Sequence, residues 1–285
     1  MVVGHKGATA RRLAKVVLGV VILVWTLVPI YWAIVVSLIK PVGLGSTPPP
    51  LIPEPFTLSF FKSLLNGSSA YSSQFLEALR NSAIEALGTM VFTLVVAVLA
   101  AYAFARWRFP GSNVLFLAIL GTISLPVYAV LIPLFREATD LHQVNTYQAL
   151  VLINASSSLP LATWLLRSHI ASLPLNIEEA ARIDGANSLT VLRRITVPLI
   201  GPGLTAAGVF VFLTTWGVYL IPLAFAPTLH TEPITVLIPQ FTTRYSTNYG
   251  LQAAAGLIGL LPPVAVVIWL NRYLLRGLLL GSVNS

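Results

Sequence analysis

Six long apolar segments follow one another along the chain, separated by shorter polar or proline-rich stretches. Each has about 20 residues or more, which is enough for an α-helix to cross the ~30 Å hydrocarbon core of a bilayer. The segments are continuously apolar rather than alternating, and this favours helices over the strands of a membrane barrel. The pattern therefore predicts an all-α membrane protein with six transmembrane helices, at residues 16–39, 81–106, 114–135, 147–166, 199–225 and 251–273.

The first apolar segment is preceded by four basic residues, Lys6, Arg11, Arg12 and Lys15, as in a secretory signal peptide. Its apolar core is longer than that of a signal peptide, and no small-residue cleavage site ends it. We expect a retained span with a kink at Pro29.

The composition agrees with a membrane protein that forms one domain over residues 1–285. Hydrophobic residues make up 56% of the chain and charged residues 9%, whereas a soluble protein has about 45–50% and about 25%. The chain has no cysteine, which excludes a disulfide scaffold. In a soluble protein the net charge of +8 would suggest nucleic-acid binding, but in a membrane protein it indicates basic cytoplasmic loops.

The basic residues also predict the orientation of the spans. With the N-terminus inside, the inner segments hold twelve Lys and Arg residues and the outer segments hold five. Positive charge accumulates on the cytoplasmic side, so both termini are predicted to be cytoplasmic. The long outer loops are then 40–80, a proline-rich connector followed by a short helical stretch, and 226–250.

The inner loop 174–198 predicts two short helices joined at Gly185, which suits a left-handed helix end. Asn176 is expected to cap the first helix, with Glu179 completing a capping box, and Asn187 or Ser188 is expected to cap the second.

The first of these short helices is acidic, with Glu178, Glu179 and Asp184 around two small residues, Ala180 and Ala181. One alternative is an amphipathic hairpin that lies on the membrane surface without a partner. A helix on anionic lipid should be rich in Lys and Arg, however. Acidic and small residues together favour close docking to a basic protein surface.

The spacing of this loop resembles the EAA loop of bacterial ABC importer permeases. The pattern is Glu179-Ala-Ala, Gly185, Ile195, then Val197-Pro198, with Val197 where the family has Leu. The similarity extends along most of the chain and points to the carbohydrate-uptake branch, of the MalG-like type. It rests on the segments Pro55-Phe-Thr-Leu, Asn81-Ser82, Ala101-Tyr-Ala-Phe-Ala-Arg106, Phe109-Pro-Gly111 and Ile183-Asp-Gly-Ala186.

The resemblance implies a multi-pass permease in the plasma membrane of a prokaryote, which passes a mono- or oligosaccharide into the cytoplasm. It implies as partners a second permease subunit encoded as a different chain, two copies of a cytoplasmic ATPase and an extracytoplasmic sugar-binding protein. The chain contains no G-x-x-x-x-G-K-S/T sequence, so ATP and Mg would bind to the partner ATPase and this chain would not be an enzyme. The residues that the resemblance assigns to ATPase coupling are Glu178, Glu179, Ala180, Ala181, Asp184, Gly185, Ile195 and Pro198.

Polar and aromatic residues within the spans are candidates for the substrate pathway, because sugars bind through hydroxyl groups and stack on rings. The candidates are Asn154, Ser157, Trp216 and Tyr219. Such side chains also serve as ordinary contacts between membrane helices. Glu85 is an acidic residue near the outer end of a span, where either snorkelling or pairing with Arg80 would account for it.

The outer loop 226–250 corresponds by resemblance to the loop that probes the docked binding protein. Its candidate contacts are Thr242, Tyr245, Asn248 and Tyr249, and a simple connector is the alternative. The four histidines lie in different segments, so no metal site is predicted.

Two other functions remain open from the sequence. One is import of a different solute by a permease of the same superfamily. The other is a stand-alone carrier coupled to ions, but such a carrier should have ionisable residues near mid-membrane, and apart from Glu85 the spans have none.

Overall fold

A computed structural model describes residues 5–40, 50–67, 69–242 and 248–281. Over these residues the chain is mainly helical, and an isolated antiparallel bridge joins Ile39 and Phe56. The helices, numbered in chain order, are α1 (His5–Leu38), α2 (Ser59–Leu65), α3 (Ala70–Arg106), α4 (Ser112–Gly121), α5 (Val127–Asp140), α6 (Tyr147–Ala171), α7 (Leu175–Ile183), α8 (Ser188–Val191), α9 (Val197–Leu199), α10 (Gly201–Trp216), α11 (Leu220–Phe225), α12 (Ile234–Gln240) and α13 (Tyr249–Gly281).

Four helices of the described chain are long and apolar enough to cross a membrane: Arg11–Leu38, Tyr71–Arg106, Tyr147–Ala171 and Tyr249–Leu270. Two further pairs of helices meet the same test if each is taken as one bent span, with bends of 99° and 80°. These are Ser112–Ser124 with Ala129–Asp140, and Ser188–Leu199 with Gly201–Trp216. The predicted all-α membrane fold is therefore confirmed, with between four and six candidate spans in the described residues.

Two of the predicted spans are interrupted by proline. The segment 114–135 is divided by a 3₁₀ turn, Thr122–Ser124, and by Pro126. The segment 199–225 ends its first helix at Trp216 and resumes at Leu220. A proline ring clashes with the carbonyl four residues before it, so Pro222 prevents regular helix through residue 218. The prediction of one continuous helix in each of these two segments was therefore wrong.

The chain separates into two compact units, of which the first contains residues up to Ser73 together with Ile238–Gly259. Here α1 packs against α2, with Ile39 and Leu64 almost fully buried. The end of α1 is joined to the segment before α2 by the bond from Thr57 N to Leu38 O, at 2.7 Å. The short helix predicted within the loop 40–80 is confirmed as α2, while residues 41–49 of its proline-rich half lie outside the described residues.

The second unit contains Gln74–Leu237 and the chain from Leu260 onward. Its main core is formed by small residues of α3 and α10 against larger residues of α6, among them Ala101, Leu166 and Ala207. Small residues let membrane helices approach closely. The contact between α10 and α6 depends on Gly203, where an added Cβ would lie 2.6 Å from the ring of His169.

Candidate functional site

The loop with the EAA-like pattern begins with α7. Pro174 is the residue before the helix, and no side chain caps its first turn. The predicted cap by Asn176 and the capping box with Glu179 were wrong, because the helix starts at Leu175, two residues earlier than a cap at Asn176 requires. Proline has its φ angle set near the helical value and has no N–H to satisfy, so it can lead into a helix without a side-chain cap.

The turn between the two short helices has the predicted geometry. Gly185 has a φ angle of +88°, in the left-handed region that favours glycine. The backbone N–H of Ala186 donates to the carbonyl of Ala181 at 2.9 Å, which closes the end of α7. Asn187 then caps α8, with its Oδ1 accepting from the backbone N–H of Thr190 at 2.8 Å. Both sequence predictions are confirmed.

The C-terminal part of the loop differs from a simple second helix. A π-helical turn, Leu192–Thr196, follows α8 and continues into α9. Leu192 and Thr196 are buried, Ile195 is half-buried and Pro198 is exposed. The π-helical turn shifts the helical register between Val191 and Val197, where the sequence pattern gave no signal.

A buried ion pair anchors α7 to the C-terminal end of α3. The Nε of Arg106 donates to Oε1 of Glu178 at 2.9 Å, and the two side chains are only 5% and 4% exposed. The hydroxyl of Tyr102 donates to Oε2 of Glu178 at 3.1 Å, and that of Thr196 donates to Oε1 at 3.3 Å. Arg106 also donates to the carbonyl of Leu173 at 3.2 Å. The network therefore joins α3, α7 and the π-helical turn.

This network corrects the assignment of Glu178 as a residue for contact with an ATPase. Its carboxylate is already bonded to three side chains of its own chain and is not accessible to a partner. By contrast Glu179, Ala180, Asp184 and Gly185 are exposed, and Ala181 is half-exposed.

The exposed side of α7 carries Asn176, Glu179, Ala180 and Ile183, which recur at the i, i+3, i+4 and i+7 positions of one helix face. Ile183 is 87% exposed, the largest exposed fraction among the large apolar side chains of the described residues. We call these four residues the α7 face. It combines one carboxylate, a small residue and an uncovered apolar side chain.

A second feature is a cavity of about 500 Å³ between α6 and the α10–α11 segment. Three of the four predicted pathway residues, Asn154, Ser157 and Tyr219, line it. Trp216 is not among its lining residues. Its ring is 8% exposed and stacks on Phe212, with the ring centroids 5.5 Å apart.

Glu85 is buried behind Asn154, one of the residues that line this cavity. It is 2% exposed, and its Oε1 accepts a hydrogen bond of 2.8 Å from the side-chain amide of Asn154. Glu85 bonds to Asn154 and not to Arg80, so the suggested pairing of Glu85 with Arg80 is not found among the described residues. Snorkelling is likewise inconsistent with the burial of Glu85.

The N-terminal part of the loop 226–250 is held by side chains that the sequence reasoning did not assign. Asn81 donates from Nδ2 to the carbonyls of Leu229 and Glu232, at 2.8 and 3.0 Å. The hydroxyl of Tyr147 donates to Asn81 Oδ1 at 2.7 Å. The sequence does contain an indication of these bonds. Asn81 and Ser82 stand at the start of an apolar segment, where burying a polar group without a hydrogen-bond partner would be costly.

The predicted binding-protein contacts lie in the first unit. Thr242, Asn248 and Tyr249 are exposed, and Tyr245 lies outside the described residues. Thr242 Oγ1 accepts from Gln252 at 2.7 Å, and Asn248 Oδ1 accepts from the backbone N–H of Leu251 at 3.0 Å. The ring of Tyr249 is 62% exposed and is available to a partner.

A family model and the similar proteins agree on one family for this chain. Residues 93–279 match the family described as "Binding-protein-dependent transport system inner membrane component". The chain is 31% identical over 281 residues to the sn-glycerol-3-phosphate transport system permease protein UgpE of Salmonella typhi, covering 98% of both chains. It is 30% identical over 277 residues to the trehalose/maltose transport system permease protein MalG of Thermococcus litoralis, covering 96% of this chain and 98% of that one.

Among solved structures, the fold is similar to a chain of a bacterial ABC transporter involved in the import of the acidic polysaccharide alginate. The TM-score is 0.81 at 19% identity, over 95% of this chain and 98% of that chain. The family match covers more than half of the sequence, and the relatives match it almost from end to end. The chain therefore belongs to the family of inner membrane components of binding-protein-dependent transport systems, and it is the permease subunit of an ABC importer.

Proposed function

We propose that this permease passes a mono- or oligosaccharide across the plasma membrane of a prokaryote. The sugar is delivered by an extracytoplasmic binding protein, and a second permease chain completes the pathway. The proposal is supported by relatives whose names refer to trehalose and maltose transport. A phosphorylated polyol is the alternative solute, because another relative is named for sn-glycerol 3-phosphate.

The orientation proposed for the chain has six spans and both termini in the cytoplasm. Twelve Lys and Arg residues then lie on the cytoplasmic side and five on the outer side, as expected for a plasma-membrane protein. This orientation puts α7 and the π-helical turn at the cytoplasmic surface and puts the loop 226–250 outside.

The energy for transport comes from two copies of a separate cytoplasmic ATPase, which bind ATP and Mg. The observation that supports an ATPase partner is the α7 face. Its exposed Glu179, Ala180 and Ile183 form a surface suited to a basic and apolar cleft. A carboxylate that meets arginine at a partly dry interface gives a strong, directional contact. Ala180 permits close approach, and Ile183 gains by leaving water.

Movement of the ATPase reaches the spans through the buried network around Glu178. Because Arg106 is the last residue of α3, a displacement of α7 is transmitted to α3 by the 2.9 Å ion pair rather than being absorbed by a loose loop. ATP binding to the closed ATPase dimer would then favour one arrangement of the spans, and hydrolysis would favour the other.

The cavity of about 500 Å³ is the proposed section of the sugar pathway in this subunit, with Asn154, Ser157 and Tyr219 at its surface. Trp216 supports the α3–α10 contact instead of facing this cavity. On the outer side, Thr242, Asn248 and Tyr249 are the proposed contacts to the docked binding protein, with Tyr245 as a fourth by sequence alone.

Reconstitution tests the proposal. The chain, its partner permease and the ATPase are placed in proteoliposomes with the binding protein, and uptake of labelled trehalose, maltose and sn-glycerol 3-phosphate is measured. We expect uptake of a sugar that requires both ATP and the binding protein. Uptake of glycerol 3-phosphate alone would overturn the choice of solute, and uptake that persists without the ATPase would overturn the mechanism.

A further inference from the structure

The cavity beside α6 contains polar side chains that are buried yet keep hydrogen-bonding capacity. Asn154 and Thr215 are each 4% exposed and Ser158 is 7% exposed, and all three line the cavity. The Oγ1 of Thr215 has no hydrogen-bond partner in the described protein. A buried hydroxyl without a partner costs about 1–3 kcal/mol, so a ligand that supplies one gains in affinity.

The orientation of the Asn154 amide follows from Glu85. An asparagine side chain has two N–H donors and one carbonyl acceptor. Both donors are used, one toward Glu85 Oε1 at 2.8 Å and one toward the carbonyl of Leu150 at 2.8 Å. The carbonyl oxygen of Asn154 is therefore the amide atom left for the cavity, and it can accept a hydrogen bond from a hydroxyl group.

The lining of the cavity also limits the charge of its ligand. No residue at its surface carries a charge, and Glu85 behind Asn154 contributes a carboxyl rather than a cation. A phosphate or carboxylate in the cavity would lose its hydration without gaining a cation from this chain. The apolar Val218 and Ile221 and the ring of Tyr219 suit the C–H faces of a sugar ring.

We infer that this cavity is a binding site for an uncharged, hydroxyl-rich ligand, and that Glu85 is the positioning residue that aims the Asn154 carbonyl oxygen at it. The inference rests on the proposed function and narrows its substrate to neutral sugars. It gives Glu85 a function that needs its hydrogen-bond acceptor and not its charge.

Variants at Glu85 separate these two properties. Glu85→Gln keeps a side-chain oxygen that can accept from Asn154, whereas Glu85→Leu leaves the amide free to turn. We expect Glu85→Leu to raise the KM for sugar uptake roughly three- to tenfold, the effect of one lost hydrogen bond, and Glu85→Gln to remain near wild type. A loss in Glu85→Gln equal to that in Glu85→Leu would overturn the positioning role.

Threonine-to-valine changes provide a matched pair for the cavity itself. Thr215 lines the cavity, whereas Thr93 is also buried, on α3, has no hydrogen-bond partner among the described residues and does not line it. Thr215→Val should raise KM about three- to tenfold, while Thr93→Val should leave it unchanged. Equal effects of the two changes would contradict a ligand site here.

Ligand class is measured on the purified importer without its binding protein, by saturation-transfer NMR with trehalose and sn-glycerol 3-phosphate as probes. We expect the stronger signal from trehalose, reduced in Thr215→Val. A stronger signal from glycerol 3-phosphate would overturn the inference of a neutral ligand. If ATP-driven uptake is intact in every variant, the ligand site is refuted but the proposed function is not. If the wild-type complex shows no ATP-driven uptake, the proposed function is refuted.

Discussion

The Nε of Arg106 lies 2.9 Å from Oε1 of Glu178, and both side chains are almost completely buried. The two residues are 72 positions apart in the sequence, at the end of α3 and within α7. A short helix with one exposed acidic face is thereby held to a membrane-spanning helix by a charge pair that solvent barely reaches.

Removing one member of this pair should be more harmful than removing both. Glu178→Ala leaves the buried guanidinium of Arg106 unpaired, at a cost of about 3–5 kcal/mol. The double change Arg106→Met with Glu178→Leu removes both charges and should cost less than the sum of the single changes. Unfolding of the purified chain in mixed micelles, titrated with SDS, measures the difference. Strictly additive losses would show that the two side chains do not interact.

Tyr102 contributes one neutral donor to the same carboxylate. Tyr102→Phe removes the 3.1 Å bond to Glu178 Oε2 and should lower the free energy of unfolding by about 1–2 kcal/mol. Tyr249→Phe is the matched control, since the ring of Tyr249 is 62% exposed. The same SDS titration compares them, and equal stability of the two variants would exclude a contribution from the Tyr102 hydroxyl.

Gly185 should be sensitive to substitution because of its backbone and not because of crowding. Its φ angle is +88°, and an added Cβ would meet no atom within 4 Å. Gly185→Ala should cost about 1 kcal/mol or more, with Gly185→Asn milder. Gly121→Ala is the control, as its Cβ would also meet nothing and its φ angle is −59°. Hydrogen exchange of α7 and α8 should rise only in the Gly185 variants, and unchanged exchange would contradict the predicted strain.

Gly203 should behave in the opposite way, through crowding. A Cβ at this position would lie 2.6 Å from the ring of His169, so Gly203→Ala should destabilise the α6–α10 contact by about 1–3 kcal/mol. Truncation of the ring by His169→Ala should restore much of this loss in the double variant. Thermal unfolding of the four proteins in detergent tests the pair. If His169→Ala does not restore the stability lost in Gly203→Ala, the ring of His169 is not the group that an added Cβ at residue 203 meets.

The features that sequence predicted well are those that depend on local chemistry. The turn at Gly185 and a cap at Asn187 or Ser188 were predicted because a left-handed turn and a helix cap are set by the residues themselves, and the structure has the cap at Asn187. The apolar segments likewise indicated membrane helices, since length and composition alone decide whether a helix can span.

The features that sequence missed depend on distant residues. Glu178 and Glu179 are adjacent and chemically identical, yet one is buried and one is exposed, because Arg106 approaches only one side of α7. In the same way Glu85 was explained by snorkelling or by pairing with the nearby Arg80, while its bond is to Asn154, 69 positions away. The sequence contains a reason for each helix break, since Pro126 and Pro222 disfavour a continuous helix. Continuous helices were predicted all the same, because the apolar segments are long enough to span a membrane.

The central claim is that the α7 face of this permease holds a separate ATPase. The most direct measurement is the amount of ATPase retained when the chain is affinity-purified from native membranes in mild detergent. Wild type and the control Glu137→Arg, which reverses an exposed charge on α5, should retain the ATPase and a second permease. Glu179→Arg should retain about tenfold less, as expected for a lost charge pair in a partner interface. Wild-type chain that is recovered without an ATPase, or Glu179→Arg that retains it fully, would contradict the claim.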